Sequence, residues 1–580
     1  MRAAASAERG AALVITLLVL VILTAFGLTL VGLGMTEVSI SSNWRNYSKD
    51  FYAAEAALEN GVIGLRTLLA STPAPTQEDL DGIATPTLTD PNLTFGAYSI
   101  TSPNPTFATT FASGPYTGLT GFVTGYQIRA QVNGQGGTRA DLTQVFQYTE
   151  VPLFQFGVFF GKGVDLEIAP GPDMTFNGRV HANSNIYVGA GATLSFDSYI
   201  TTAGGIYRTL KRENAPNCSP CVPPDTPYPP TSYSPWSNHP RIRDAGGTYR
   251  DLDFDTKYQP GFSSQWASPA AWAAQATSTF QGTVRDGAMG VTEITPPINN
   301  LFQDQSSPDT VAHKMIEMPQ AGDSPALAAA KMYSKAGLRI IDGVATDQNG
   351  TSVALPSGAL TTTTFFDQRE NKTMTVVDVD VDKLRGEGKF PANGVVYIAG
   401  TNPATNPAVR LVKGYELPSQ GLTVVSQNPV YVKGDYNHKP GTSKVPAAIM
   451  ADAITVLSED FDDSKAADAL VHRKVQKDTT VNAAFALGMG AESTQANGGN
   501  GQLENSIRFL EDWGKDQKTL TYSGSIIALW HSQQATGQWA CCDIYKPPTR
   551  NWSYDRMFET TPPPGTPRGV IMMKGRWSQR

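Results

Sequence analysis

Residues 11–35 read AALVITLLVLVILTAFGLTLVGLGM, an apolar run without one charged side chain. At about 1.5 Å per residue, a helix of that length crosses the hydrocarbon core of a bilayer. Arg2 and Arg9 on its short N-terminal side favour an N-in orientation, so the chain beyond about Thr36 is expected to face outward. A cleaved secretory signal describes this segment poorly, because the apolar core is too long and no A-x-A site directly follows it. Hydropathy alone permits a permanent signal anchor.

The next segment is amphipathic. Tyr47, Phe51, Ala54, Leu58, Val62, Leu65 and Leu69 recur at spacings of four and three, which places them on one stripe of a helix that prolongs the apolar run. By spacing alone the stripe equally describes a helix that merely lies on a sheet. Two motifs narrow the choice. Glu8-Arg9-Gly10 ahead of Ala11-Ala12-Leu13-Val14-Ile15-Thr16-Leu17-Leu18 resembles the junction of class III prepilins. Phe51-Tyr52-Ala53-Ala54-Glu55-Ala56-Ala57-Leu58-Glu59 resembles the FxAAEAALE signature of the PilX-like minor pilins of type IV pili.

The resemblance implies a prepilin leader at 1–10, cut by a prepilin peptidase between Gly10 and Ala11. The helix 11–35 then stays on the mature chain, first in the inner membrane and later in a filament core beside other minor and major pilins. One departure is informative. Major pilins carry a Glu at the fifth mature residue, which offsets the N-terminal ammonium of a neighbouring subunit in an apolar surrounding where a bare charge is costly. Here that position is Ile15, and the absence implies a subunit at the pilus tip rather than a repeating one. Size agrees, since 580 residues exceed one compact core and suggest two or more modules.

The expected fold is α+β. Segment 36–150 has the makings of a pilin-like module: strand-like stretches at 95–100, 126–132 and 142–148 follow the helix, the last two joined by the hairpin signal Asn133-Gly134-Gln135-Gly136-Gly137. From Gly163 the texture changes to very short apolar strands split by turn residues: Val164/Leu166/Ile168, Met174/Phe176, Ile186/Val188 and Leu194/Phe196. A like series returns at 395–398, 409–412, 422–425, 430–432, 447–450 and 454–457. Such strands can stack as rungs, so 151–560 is expected to be a mainly-β, solenoid-like head, with a β-sandwich as the structural alternative. Helical insertions are expected at 270–276 and 326–336, each after a Ser-Pro pair, and at 503–513, with a strand at 519–530 and a tail at 561–580. Segments 178–183, 428–436 and the expected helix 503–513 resemble the large C-terminal regions of PilX-type proteins. The whole is similar to large competence minor pilins that carry a β-solenoid, whose heads are implicated in capturing DNA.

Net charge is −7, charged residues are 17%, and Gly (54) and Pro (40) are abundant, a balance that suits a turn-rich β protein and not a basic nucleic-acid sleeve. Local basic groups exist at Arg208, Lys211 and Arg212, and at Lys574, Arg576 and Arg580 around Trp577. Either group has the chemistry to meet a phosphate backbone, although solvated surface charge explains them equally. The four cysteines form two local pairs, Cys218 with Cys221 and Cys541 with Cys542. In an exported chain disulfides are expected, in any of three connectivities; a four-thiolate zinc site would need the vicinal pair to aim both sulfurs at one ion.

No catalytic set is legible: the six histidines form no HExxH, and neither a Gly-x-Ser-x-Gly elbow nor a phosphate loop occurs. The acidic groups Asp378/Asp380/Asp382 and Glu459/Asp460/Asp462/Asp463 are the best metal candidates. Alternation places the first three on one face of a strand, where a solvated edge accounts for them, and the second group has no Asp-x-Asp-x-Asp-Gly calcium loop. No metal or cofactor is expected. The function expected is a tip minor pilin that helps initiate assembly and presents its head to a surface ligand or DNA. Because solenoids also serve as polysaccharide lyases and hydrolases, the alternative is a membrane-anchored glycan-active enzyme.

Overall fold

The computed structural model describes residues 4–579 apart from 73, 113, 115, 190, 208–239, 253–267, 297–306, 491–501, 515–516 and 540–543. One helix, Ala4–Ser71, carries both the apolar run and the amphipathic stripe. Four threonines interrupt its apolar part, and each returns its hydroxyl to the carbonyl four residues earlier, Thr16 to Ala12, Thr24 to Leu20, Thr29 to Ala25 and Thr36 to Gly32. Each of these hydroxyls is thereby satisfied within the helix, on its exposed apolar surface.

The chain divides into two compact units: Met1–Thr106, Thr124–Tyr148 and Met572–Arg580 form one, Phe107–Val123 and Thr149–Ile571 the other. In the first, the long helix buries Ala54, Leu58, Val62, Leu65 and Leu69 as the spacing predicts. A Cβ on Gly61 would fall 2.8 Å from Ile128 of the sheet, so the glycine lets helix and sheet approach closely. The sheet order is Thr94–Thr101, Thr120–Asn133, Arg139–Pro152, Arg568–Gln579. Its first pair is antiparallel, from Thr94 opposite Asn133 to Thr101 opposite Gln127. The segment expected as a tail thus supplies a strand of this sheet.

The second unit is built from parallel ladders. Among the described residues, one sheet has eleven strands and another five, each parallel throughout except for a terminal hairpin. Near the start the repeat is regular: Val180 pairs with Ile200, Ile186 with Ile206 and Met174 with Leu194, each twenty residues apart. Strands such as Val395–Ala399 and Ala447–Ala451 are buried at every position, because a parallel strand between neighbours and packed on both faces has no solvent side. The chain enters the large sheet at Val158–Phe160, builds outward to Val284–Arg285, resumes at the opposite end with Leu338–Ile341 and returns to lay Ile526–His531 beside Val158–Phe160. Late and early segments therefore cover each other's edges.

Most short strands fall where expected, while 126–132 and 142–148 are the cores of the longer strands Thr120–Asn133 and Arg139–Pro152. The strand expected at 519–530 is two, Thr519–Gly524 and Ile526–His531, which break at Ser525 and join different sheets, and two helical expectations also change. The segment 326–336 is two short helices, Pro325–Ala330 and Met332–Lys335, broken where Lys331 adopts an extended backbone. The segment 503–513 is not a helix beyond the single turn Leu503–Asn505. Arg508 bridges Thr455, and Asp512 bridges Lys474 and Lys546. Pairing with these neighbouring segments satisfies the backbone there, and every side chain from Ser506 to Trp513 is buried, which overrides a weak helical propensity.

Candidate functional site

The most exposed apolar surface belongs to the long helix. From Leu13 to Ile40 its large hydrophobic side chains stand in the open, Ile15 at 63% and Leu28 at 70% exposure. An apolar stretch this long, bare all round, requires lipid or other helices around it. It qualifies by length and composition as a membrane span. Gly10 and Ala11 lie within the same helix, and Ile15 sits one turn beyond the junction.

The C-terminal residues meet the far half of that helix. Lys574 places its ammonium 2.5 and 2.7 Å from the two carboxylate oxygens of Glu59, the final residue of the FxAAEAALE motif. Trp577 stands edge-on to Phe51, ring centres 5.9 Å apart, and the Gln579 amide donates to the Tyr47 hydroxyl. Arg576 is exposed. Nothing in the spacing of the sequence connects Glu59 with Lys574, because the contact joins segments at opposite ends of the chain. Arg580 and the second basic group, Arg208, Lys211 and Arg212, lie outside the described residues.

The expected disulfides fall outside them too. Cys218 and Cys221 lie within 208–239, and Cys541 and Cys542 within 540–543, so neither local pair nor either crossed arrangement gains support from the geometry, and the connectivity stays an expectation of the sequence.

The acidic candidates other than Asp460 are engaged in ion pairs. Arg410, itself buried, holds Asp378 at 2.7 Å and Asp463 at 2.5 Å. Burial works against its charge, but these two carboxylates outweigh burial and keep the guanidinium more basic than usual. Asp380 pairs with Lys413 and caps the helix Val381–Gly386; Asp382 pairs with Arg385. The strand ends at Asp380, so the three carboxylates do not share one solvated strand face. Glu459 pairs with Lys477, and Asp462 caps the turn Asp463–Lys465. Among the described residues no cluster of His, Cys, Asp or Glu could hold a metal ion.

Two histidines are enclosed with opposite consequences. His181 is buried among Phe156, Phe159 and Tyr116, and burial pushes its pKa down to about 4. His313 lies between Glu317, at 2.8 Å, and Asp452, at 3.1 Å. Burial opposes its charge, yet the two carboxylates prevail and raise its pKa. Asp452 also accepts the backbone N–H groups of Gln533, Gln534 and Ala535. Two glutamates that the sequence offered no reason to single out, Glu504 and Glu511, are pushed up to about 7 by burial. Glu511 accepts both the N–H and the O–H of Ser458, each at 2.7 Å.

The second unit also carries an open cleft of about 660 Å³ lined by residues of three successive connections, among them Arg385, Phe390, Tyr415, Glu416, Gln420 and Lys439. Its volume lies within the range of small-molecule sites.

Residues 9–59 match the family model described as PilX N-terminal, so the helix with its junction and its FxAAEAALE run is PilX-like. The crystal structure of the competence-associated pilin ComZ from Thermus thermophilus is similar at 12% identity, over 92% of this chain and 98% of that one, with a TM-score of 0.29. Comparison with curated proteins finds no match.

Proposed function

We propose that this protein is a minor pilin of a type IV pilus, anchored in the inner membrane by residues 11–35, released from its leader after Gly10 by a prepilin peptidase, and placed at the pilus tip with other pilins. The observation that carries the reading is the bare apolar helix continuous with a PilX-like motif. Ile15 supports the tip position, because a subunit without a carboxylate there offers nothing to the amine of a neighbour. We read the ladders of the second unit as the coils of a β-solenoid that serves as a binding head for a surface ligand or DNA, not as an enzyme. The twenty-residue register supports that reading.

The test is processing. The mature chain recovered from sheared filaments should begin at Ala11, and Gly10→Asp should leave the leader in place. An uncut wild type, or a normally cut variant, would sink the assignment.

A further inference from the structure

We propose that the cleft lined by Arg385, Phe390, Tyr415, Glu416, Gln420 and Lys439 is a carbohydrate-binding site that takes a neutral glycan chain. The proposal rests on the reading of the second unit as a binding head and is independent of pilus assembly.

The site is a product of the parallel register. Residues 381–394, 413–421 and 434–446 each connect a strand of the five-stranded sheet to one of the eleven-stranded sheet. At their starts Asp380 is level with Val412, and Val412 with Lys433; at their ends Val395 is level with Thr423, and Leu422 with Ala447. The three connections therefore leave and return in line, and they stand side by side along one edge of the ladders.

Side chains tie them together. Glu416 of the middle connection accepts from Arg385 of the first, at 3.2 Å, and from Lys439 of the third, at 2.5 Å. Gln420 donates to the Pro391 carbonyl at 3.2 Å. Within the third, the Asn437 amide donates to the Val445 carbonyl at 2.7 Å and accepts the Val445 N–H at 3.1 Å. A cleft held in this way loses little conformational freedom when a ligand enters.

The lining selects the ligand class. Arg385 is shared by Asp382, at 2.7 Å, and Glu416, and Lys439 is held by Glu416, so both cations are already neutralised. A polyanion would have to displace carboxylates from them, whereas a neutral ligand leaves the pairs intact and uses their remaining donors and acceptors. The Arg385 guanidinium and the Glu416 carboxylate among them are planar and directional, as neighbouring hydroxyls on a sugar ring require. Tyr415 and Phe390 are half-buried rings that line the cleft, and the Lys439 ammonium lies 5.9 Å from the centre of the Tyr415 ring. Apolar walls with a few placed polar groups fit the mixed C–H and O–H faces of a sugar.

The experiment is calorimetric titration of the full chain in detergent with maltohexaose, cellohexaose and chitohexaose, and with a heparin hexasaccharide as the anionic comparison. Saturable binding of at least one neutral hexasaccharide is expected. Tyr415→Ala should weaken it about tenfold, the loss expected for one aromatic contact, while Tyr415→Phe keeps most of it. Because Tyr415→Ala also removes packing from its own loop, Ser443→Trp at the exposed rim supplies a second variant that fills the cleft and should abolish binding. Binding of none of the neutral probes, preference for heparin, or unchanged affinity in both Tyr415→Ala and Ser443→Trp would overturn the proposal. Cleavage after Gly10 is measured separately, so the two readings fail independently.

Discussion

His181 and His313 look alike in the sequence, two isolated histidines of the kind usually structural, and their surroundings give them opposite signs. The unfolded chain takes up a proton at His181 near pH 6.5, but the folded head refuses it until about pH 4. Its contribution is therefore complete above pH 6.5 and is lost as pH falls through that window, by about 3 kcal/mol at the low end. His181→Gln should flatten the fall of stability between pH 6.5 and 4 in denaturant titrations; an unchanged slope would count against the buried neutral imidazole. His313 runs the other way. Its folded pKa is raised, so its contribution is complete below pH 6.5 and is lost as pH rises through the folded value. His313→Gln should flatten the slope on that upper side, as read by the same titrations. Neither falls in a catalytic motif of the sequence, and the sign depends on which residues enclose each ring.

The short strands of the second unit were mostly legible to their ends, because a run such as Ile454–Leu457 announces itself by apolar content between turn residues, whereas the break at Ser525 between Thr519–Gly524 and Ile526–His531 was not. The close approach between successive connections was not legible. Gly421 has φ +86°, and a Cβ there would stand 2.4 Å from the Pro446 carbonyl oxygen. Gly421→Ala should therefore destabilise by about 2 kcal/mol or more, through both left-handed strain and the collision with rigid backbone. Gly441 shares the left-handed conformation, at φ +81°, but faces open space, and Gly441→Ala should cost only about 1–2 kcal/mol. Equal losses in thermal melts would mean that the neighbouring connection gives way. The 503–513 segment shows the same limit, since its apolar spacing suits a helix until distant segments offer their backbone to it.

For the whole molecule, a tip subunit must be scarce. Immunogold should label filament ends at very low stoichiometry; label along the shaft would require another way to neutralise the neighbouring amine and would reject the role given to Ile15. DNA capture by the C-terminal strand is a separate proposal with its own measurement. If Lys574, Arg576 and Arg580 meet phosphates, replacing all three with Gln should weaken duplex binding at every sequence alike and flatten the log–log salt slope by about three units. The Lys574–Glu59 pair must open for that to happen, so Glu59→Gln should strengthen the same binding. An unchanged slope in the triple variant would reject this strand as the contact.

What the amino-acid order determined by itself was local: a membrane-length helix from an uncharged run, a buried stripe from a four-and-three spacing, a hairpin from Asn-Gly, and short strands from apolar runs between turn residues. Each follows from interactions within a few residues of one another. The return of Ile526–His531 to Val158–Phe160, the pairing of Lys574 with Glu59 and the alignment of three connections around one cleft join segments far apart in the chain. Their physical cause is the burial of sheet edges and charged groups against whichever distant surface completes them, and only the tertiary structure decides which surface that is.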